Sequence, residues 1–555
     1  MKACLTGFFV MAGLWAFCQQ KADLILINGT IVTLSSPGNT AQALAVKGDT
    51  ILAVGENKAI QAMAGPETKT IDLHGRTVLP GFNDVHQHPH PVYSWDKPYA
   101  SLRLDTVSSM ENLIALIRRK AALTPQGMLI TGVGYNEAKL GGHPTRDILD
   151  KASSEHPILL THASGHLSAA NSYMLRLNGI DSKTVDPPGG AFERDKNGEP
   201  DGVVKETARQ LLNSAKVKTA PAPTHEEEME GYRVYFNNML SGGLTSIGDC
   251  WVTPAKIGIY KELVAEHFPF RFNLYIGVDY LDQVLDGRIA RIESDYLRIG
   301  GIKFFHGNSL SGKTCWLNDP YDTVNPATGK KDYYGIPPAR SQAGLDSLVS
   351  RIHSAGLQIA CHSNGDREIA MLISAIEKAE AADPRPGMRH RIEHCSITNQ
   401  DILDRIRKDS IIPVFHCYIN ELGRQLMVYG PRRLSMLMPT RSALEMGIPF
   451  ALHSDYPISR YEAMIRLGSA VNRTNPDGIV LGANQTIGVE DAIRAYTVGG
   501  AYTTHEEEKK GRLEAGQLAD MIVLDKDPRR VATQDIASIQ VMTSIVGGRI
   551  AFQKQ

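Results

Sequence analysis

Apolar runs of strand length alternate with helix-length stretches through most of this chain. Eight runs have β character: VLPGFNDVHQH (78–88), GGLTSIGDC (242–250), FRFNLYIGV (270–278), RIGGIKFF (298–305), LQIACH (357–362), RHRIEHC (389–395), SIIPVFH (410–416) and IPFALHSD (448–455). Helical segments such as 341–355 (SQAGLDSLVSRIHSA) and 366–381 separate several of them. Eight strands with intervening helices predict an α/β fold of the (β/α)8 TIM-barrel type. The stretch 89–241, between the first two runs, is far longer than one helix needs, which predicts an inserted subdomain over about 95–235 after the first barrel strand. The two chain ends read differently. DLILINGTIVT (23–33), QALAVKGDTILAV (42–54) and 68–73 look like short strands joined by glycine turns, and LADMIVLD (518–525) and SIVGGRIAF (544–552) match them. Neither end has strands enough for a sandwich. Together they predict a small composite β-sandwich from 22–77 and 508–555, leaving 78–507 for the barrel.

Composition adds limits. A chain of 555 residues exceeds one ordinary domain, and 42% hydrophobic with 21% charged residues suits a large buried core. The net charge of −1 comes without a basic stripe, which argues against nucleic acid as a partner. The first residues stand apart: Lys2, an uncharged and mostly apolar run from Ala3 to Cys18, then Gln19 and Gln20. That predicts a signal peptide over 1–18 and an exported protein, periplasmic or secreted; a lipid anchor at Cys18 is the weaker alternative, since Trp15 and Phe17 fit it poorly. The run is short for a membrane span, so none is expected after processing. Beyond Cys4 and Cys18, the five cysteines Cys250, Cys315, Cys361, Cys395 and Cys417 are widely spaced and odd in number, which argues against a disulfide framework.

The polar residues that close the strands carry the candidate chemistry, because barrel active sites sit at the C-terminal strand ends. His86 and His88 are two apart in an extended segment, so both rings project to one face and can grip one metal ion. Alone, that spacing is weak evidence; at the end of an apolar strand it weighs more. His362 ends LQIACH, His394 ends RHRIEHC and Asp455 ends IPFALHSD. An isolated histidine is more often structural, and Asp455 by itself reads as a turn residue; a set of them at strand ends favours a shared site. Lys303 lies among apolar residues, where an uncompensated ammonium is costly. Cys361, Cys395 and Cys417 adjoin the inward-facing histidines and by alternation face the helices; Cys250 is undecided. His166, His416 and His453 are further histidine candidates, and Trp95, Tyr135 and Trp316 could line an apolar pocket, although such residues pack cores at least as often.

The motif order resembles the metal-dependent amidohydrolase superfamily: LPGFNDVHQH, the GIK strand, the ACH and IEHC strand ends, HSDYP and KKGRLEAGQLADMIVLD. GYNEAKLGGHPTRDILD (134–150), GHLSAAN (165–171) and DPPGGAFERDKNGEPDGVVKE (186–206) resemble its amidohydrolase-3 branch, which includes N-substituted formamide deformylases. The resemblance implies metal ligands at His86, His88, His362, His394 and Asp455, with Lys303 at the position that relatives carboxylate to bridge two metals. There is one departure: the family commonly has Asp-Gly shortly after that lysine, where this chain has His306, Gly307 and Asn308.

The implied chemistry is hydrolysis of a non-peptide amide, N-formyl or N-acyl bond. A divalent metal, one or two ions with zinc favoured by ligand type, would bring bound water to a pKa of about 7. Asp455 would take the water's proton and pass it to the leaving nitrogen, and His416 would help polarise the carbonyl. His166, Tyr135, Trp316 and Trp95 are the candidate substrate contacts. The expected partner is a small molecule; a homo-oligomer stays open. Two rival readings also stay open: an esterase, lactonase or carbamate hydrolase on the same site, and an inactive metal-binding scaffold.

Overall fold

The computed structural model describes residues 20–212, 216–325 and 328–555. The leader 1–18, with Cys4 and Cys18, lies outside the described residues. Eight strands form one sheet in sequential order: β1 (Phe82–Gln87), β2 (Leu244–Val252), β3 (Arg271–Gly277), β4 (Leu297–Phe305), β5 (Gln358–Ser363), β6 (Arg391–His394), β7 (Ile412–Phe415) and β8 (Ala451–Leu452). Every neighbouring pair is parallel, as a barrel of βα units requires. Ile247, Leu274, Ile302, Ile359 and Ile392 are buried in the large apolar core. Strand alternation therefore turns their neighbours, Lys303 and Glu393 among them, to the barrel interior. The seam between β8 and β1 has no ladder. It is held by Asp455 N–H donating to His86 O at 3.0 Å and His88 N–H to Tyr456 O at 2.9 Å. The residues that close the sheet are thus the ones at its C-terminal end.

The run 78–88 is two strands rather than one. Thr77–Pro80 pairs with Met521–Leu524 and Thr30–Val32, outside the barrel, and β1 begins at Phe82. Gly81 is the pivot: a Cβ there would lie 2.2 Å from Thr245 Oγ1. A four-stranded sheet (Leu24–Ile27, Ala43–Lys47, Thr50–Gly55, Lys69–Asp72) and a six-stranded sheet that takes Met521–Leu524, Val541–Val546 and Arg549–Gln553 from the far end share an apolar cluster including Leu26, Leu44, Val78, Met521 and Ile545. Arg271, at the start of β3, ties the barrel to this layer through Asp520, with Nη2 2.8 Å from Oδ1 and both side chains buried.

Between β1 and β2 the chain builds a fourth sheet, also six-stranded, from Leu102 to Glu206. The helix His225–Ser241 returns to the barrel. Thr224 and Glu227 form a capping box at its start, satisfying amides that otherwise lack partners.

Candidate metal centre

Strand ends bring the sequence candidates to one place. His86 Nε2 lies 3.3 Å from His88 Nε2 and 3.1 Å from Lys303 Nζ. Asp455 Oδ1 is 3.4 Å from the first ring nitrogen and 3.3 Å from the second. The His394 ring is 5.0 Å from that of His86 and 4.5 Å from that of His362. Burial holds His86, His362, His394 and His453 well below the ordinary imidazole range, so their rings are neutral at pH 7. Burial opposes ionisation of Asp455, but His88 beside it and the charges of His416 and Lys303 hold its carboxyl below the usual value. His394, Cys395 and Asp455 all have left-handed backbone, with φ of 71°, 44° and 56°. Such conformations cost energy and persist where the surroundings impose them.

This arrangement fits a cation. Asp455 Oδ1 is buried without a hydrogen-bond partner, and the imidazole lone pairs around it cannot all be satisfied by shared protons. His86, His394 and Asp455 offer ligand atoms within 4.8 Å of one another. Lys303 is fully buried, and among the described residues it forms no ion pair, its amine meeting only His86 and the face of Phe305. His362 sits at the edge, with Nε2 3.1 Å from Asn308 O and its ring 4.6 Å from His166.

The sequence candidates left out the supporting layer. Glu393 accepts the Nδ1 proton of His86 and binds Arg391 through both guanidinium branches, Nε–Oε1 at 2.7 Å and Nη2–Oε2 at 2.8 Å. All three side chains are fully buried. An ionised carboxylate only accepts, so it fixes the tautomer that leaves His86 Nε2 free to ligate. Alternation places either Glu393 or His394 inward; the left-handed turn at His394 places both there. The signal available was Arg391 and Glu393 two apart in an apolar strand. Cys250 lies beneath, in a pocket with Tyr275 and Ala360, its thiol pushed far up by burial and thus protonated. Cys361, Cys395 and Cys417 belong to the helix-facing core, and all five described cysteines are free.

The family model described as the amidohydrolase family matches residues 69–552. The chain belongs to the amidohydrolase family. It is a hydrolase acting on carbon–nitrogen bonds, and the site fits the divalent metal such hydrolases use. An N-substituted formamide deformylase of Arthrobacter pascens is 27% identical over 96% of this chain and 99% of its own. The putative amidohydrolase YtcJ of Bacillus subtilis is 25% identical over 95% of this chain and 98% of its own. Among solved structures, an uncharacterized metal-dependent hydrolase from Pyrococcus furiosus has a TM-score of 0.68 at 26% identity, covering 91% of this chain and 100% of its own.

Within this amidohydrolase, the loop after Lys303 has a structural explanation. A Cβ on Gly307 would lie 2.4 Å from Glu368 Oε1. Glu368, from the helix after β5, fills the space and accepts from four backbone amides, those of Asn308, Trp316, Asn364 and Gly365. A carboxylate reaches this loop from 61 residues away in sequence rather than from the loop itself.

Four residue assignments need correction. His416 is not poised to polarise a carbonyl. Its Nε2–H donates to Ser459 Oγ at 2.9 Å, because the Ser459 hydroxyl is itself donated to Ser454 O. Burial holds the ring at about 3, so it is neutral and its Nδ1, 3.8 Å from Asp455 Oδ2, bears a lone pair. Tyr135 and Trp95 do not reach the site. Tyr135 is buried in the inserted sheet's core, its hydroxyl 3.2 Å from His143, and Trp95 is 50% exposed beside Arg119. Trp316 lies under Arg367, 3.8 Å from its guanidinium, and lines no part of the cavity beside the histidines. His166 does reach it, with Nδ1 2.7 Å from Glu206. His453 stacks between His86 and His416, 4.7 Å from each, with neither ring nitrogen hydrogen-bonded.

Proposed function

We propose that this amidohydrolase cleaves a non-peptide amide, N-formyl or N-acyl bond with water activated at a zinc site formed by His86, His88, Lys303, His362, His394 and Asp455. The observation that carries the reading is Asp455 Oδ1, a buried acceptor that faces two imidazole nitrogens and has no hydrogen-bond partner. A divalent cation held there supplies a Lewis acid and lowers the pKa of water to about 7. Glu393 keeps His86 in its ligating tautomer, and Arg391 holds Glu393 in place through two hydrogen bonds. Asp455, ionised at neutral pH, accepts the proton of the attacking water and returns it to the leaving nitrogen. Water adds to the carbonyl, the carbon–nitrogen bond breaks, and a carboxylic acid and an amine result. Carboxylation of Lys303 belongs to the same reading, since it turns a buried, unpaired amine into an anionic ligand.

The similarity to a formamide deformylase supports N-formyl compounds as the first substrates to try. The test pairs metal content with turnover. Asp455→Asn keeps most of the metal and loses activity by about 10³-fold or more; near-normal activity in that variant overturns the assignment. Matched esters in the same screen decide the rival hydrolase reading, and full metal with no turnover on either class favours a scaffold.

We also propose the domain plan of a composite β-sandwich (22–77 with 508–555) on a barrel (78–507) bearing an inserted subdomain (about 95–235), and export after removal of residues 1–18. The apolar cluster shared by the two terminal sheets supports the former. No helix among the described residues is long and apolar enough to cross a membrane. N-terminal sequencing of the mature protein tests the cleavage.

A further inference from the structure

Beside the histidine cluster lies a cavity of about 900 Å³ whose cations the hydrolytic reading leaves unused. His166, Arg209, Trp251, Phe305, His306 and Arg340 are among its walls. It adjoins the metal centre: the rings of His166 and Phe305 lie 4.6 and 5.1 Å from that of His362. Trp251 and Phe305, 5.3 Å apart, make an aromatic side.

Among the described residues, the two acids of this wall, Glu206 and Asp279, form no ion pair with its two arginines. Glu206 is committed, accepting from His166 at 2.7 Å, from Ser309 N–H at 3.3 Å and from the Thr314 hydroxyl. Arg209 donates from Nε to Ser168 Oγ at 3.0 Å and from Nη1 to Gly165 O. Arg340 donates to Phe305 O at 3.2 Å. These partners are neutral, and among the described residues neither arginine forms an ion pair. Asp279, the remaining acid, is exposed. His306 is 1% exposed and neither of its ring nitrogens has a hydrogen-bond partner. In either tautomer that ring presents an N–H donor. Guanidinium groups with spare donors beside an unpartnered imidazole are the chemistry that recognises a carboxylate.

We propose that this cavity is an anion-recognising subsite, and that the substrate is an N-formyl or N-acyl amine carrying a carboxylate, with its apolar body against Trp251 and Phe305 and its anion toward Arg340 and Arg209. The choice of substrate rests on the hydrolytic reading above; the anion subsite rests on the cavity alone.

Two probes that differ by the carboxylate group test it on the metal-loaded protein: N-formylphenylalanine and N-formyl-2-phenylethylamine. The wild-type protein favours the anion in kcat/KM by about 10- to 100-fold. Arg340→Gln removes most of that preference through KM, leaving the neutral compound within about twofold; Arg340→Lys restores part of it, and Arg209→Gln provides a second variant should the first misfold. Equal turnover of the two probes by the wild type, or equal losses for both in Arg340→Gln, overturns the proposal. Calorimetry with 3-phenylpropionate and its amide separates the two readings. Anion binding that survives metal removal and falls in Arg340→Gln upholds the subsite even if neither formyl compound is hydrolysed, in which case only the hydrolytic reading fails. Anion binding that disappears with the metal and ignores Arg340 places the carboxylate on the cation and overturns the subsite.

Discussion

Glu393→Gln is the change that most directly probes how the barrel holds its metal centre. The substitution keeps the side chain's size and one acceptor oxygen but removes its charge. Arg391 is then a fully buried guanidinium without a counter-ion, and its Nη1 already lacks a partner. Breaking one side of a buried ion pair costs about 3–5 kcal/mol; the retained amide oxygen places the expected loss near the lower figure, about 3 kcal/mol. The neutral amide also ceases to enforce the His86 tautomer, and losing such an outer partner lowers metal affinity by about 10- to 100-fold. Guanidinium unfolding of the metal-free protein reads the first effect, and zinc titration against a competing chelator reads the second. The double variant Arg391→Met with Glu393→Leu separates them. It returns stability to within about 1–2 kcal/mol of wild type, since no charge is stranded, while zinc affinity stays low because His86 still lacks its acceptor. A Glu393→Gln protein within about 1 kcal/mol of wild type, with zinc affinity unchanged, would refute the assignment of both roles.

Three further outcomes follow from the same geometry. Gly307→Ala forces a Cβ against Glu368 at a φ of 139° and is expected to cost about 2–4 kcal/mol, read as a lowered unfolding midpoint; an unshifted midpoint refutes the packing argument. Arg271→Met strands Asp520 between the barrel and the terminal sheets and costs about 3–5 kcal/mol in denaturant, whereas a loss under 1 kcal/mol would show that the contact is solvated. Glu137 is held at about 2 from an ordinary 4.5: burial opposes ionisation, but the hydrogen bond from His162 at 2.6 Å outweighs it. A depressed carboxyl stabilises the fold above its unfolded pKa and loses that contribution as pH falls, so wild type exceeds Glu137→Gln by up to about 3 kcal/mol above pH 4.5 and the two converge toward pH 2. Parallel stability profiles for the two proteins across that range refute it.

The barrel was legible in the chain because its information is local. Apolar runs of strand length mark all eight strands, and the polar residues that close them, His86, His88, His362, His394 and Asp455, lie where a barrel gathers strand ends. One-letter spacing carried those residues to one site because alternation in a strand is a short-range rule. The rule failed where closure of the barrel bends the backbone. At His394 the left-handed φ turns two successive side chains inward, which is why Glu393 escaped notice beside a residue that did not. What fills the loop at Gly307 was not legible either, because the Glu368 side chain arrives there from the helix after β5. The tautomer of His416 follows from Ser459, 43 residues on, and the destinations of Trp95, Tyr135 and Trp316 follow from how the inserted sheet and its neighbours pack. The residues themselves and their periodicity are written along the chain, and they decide which elements form and which faces are apolar. Hydrogen-bond direction, charge compensation and access to a cavity depend on atoms brought together across tens or hundreds of residues, and only the folded barrel brings them within reach.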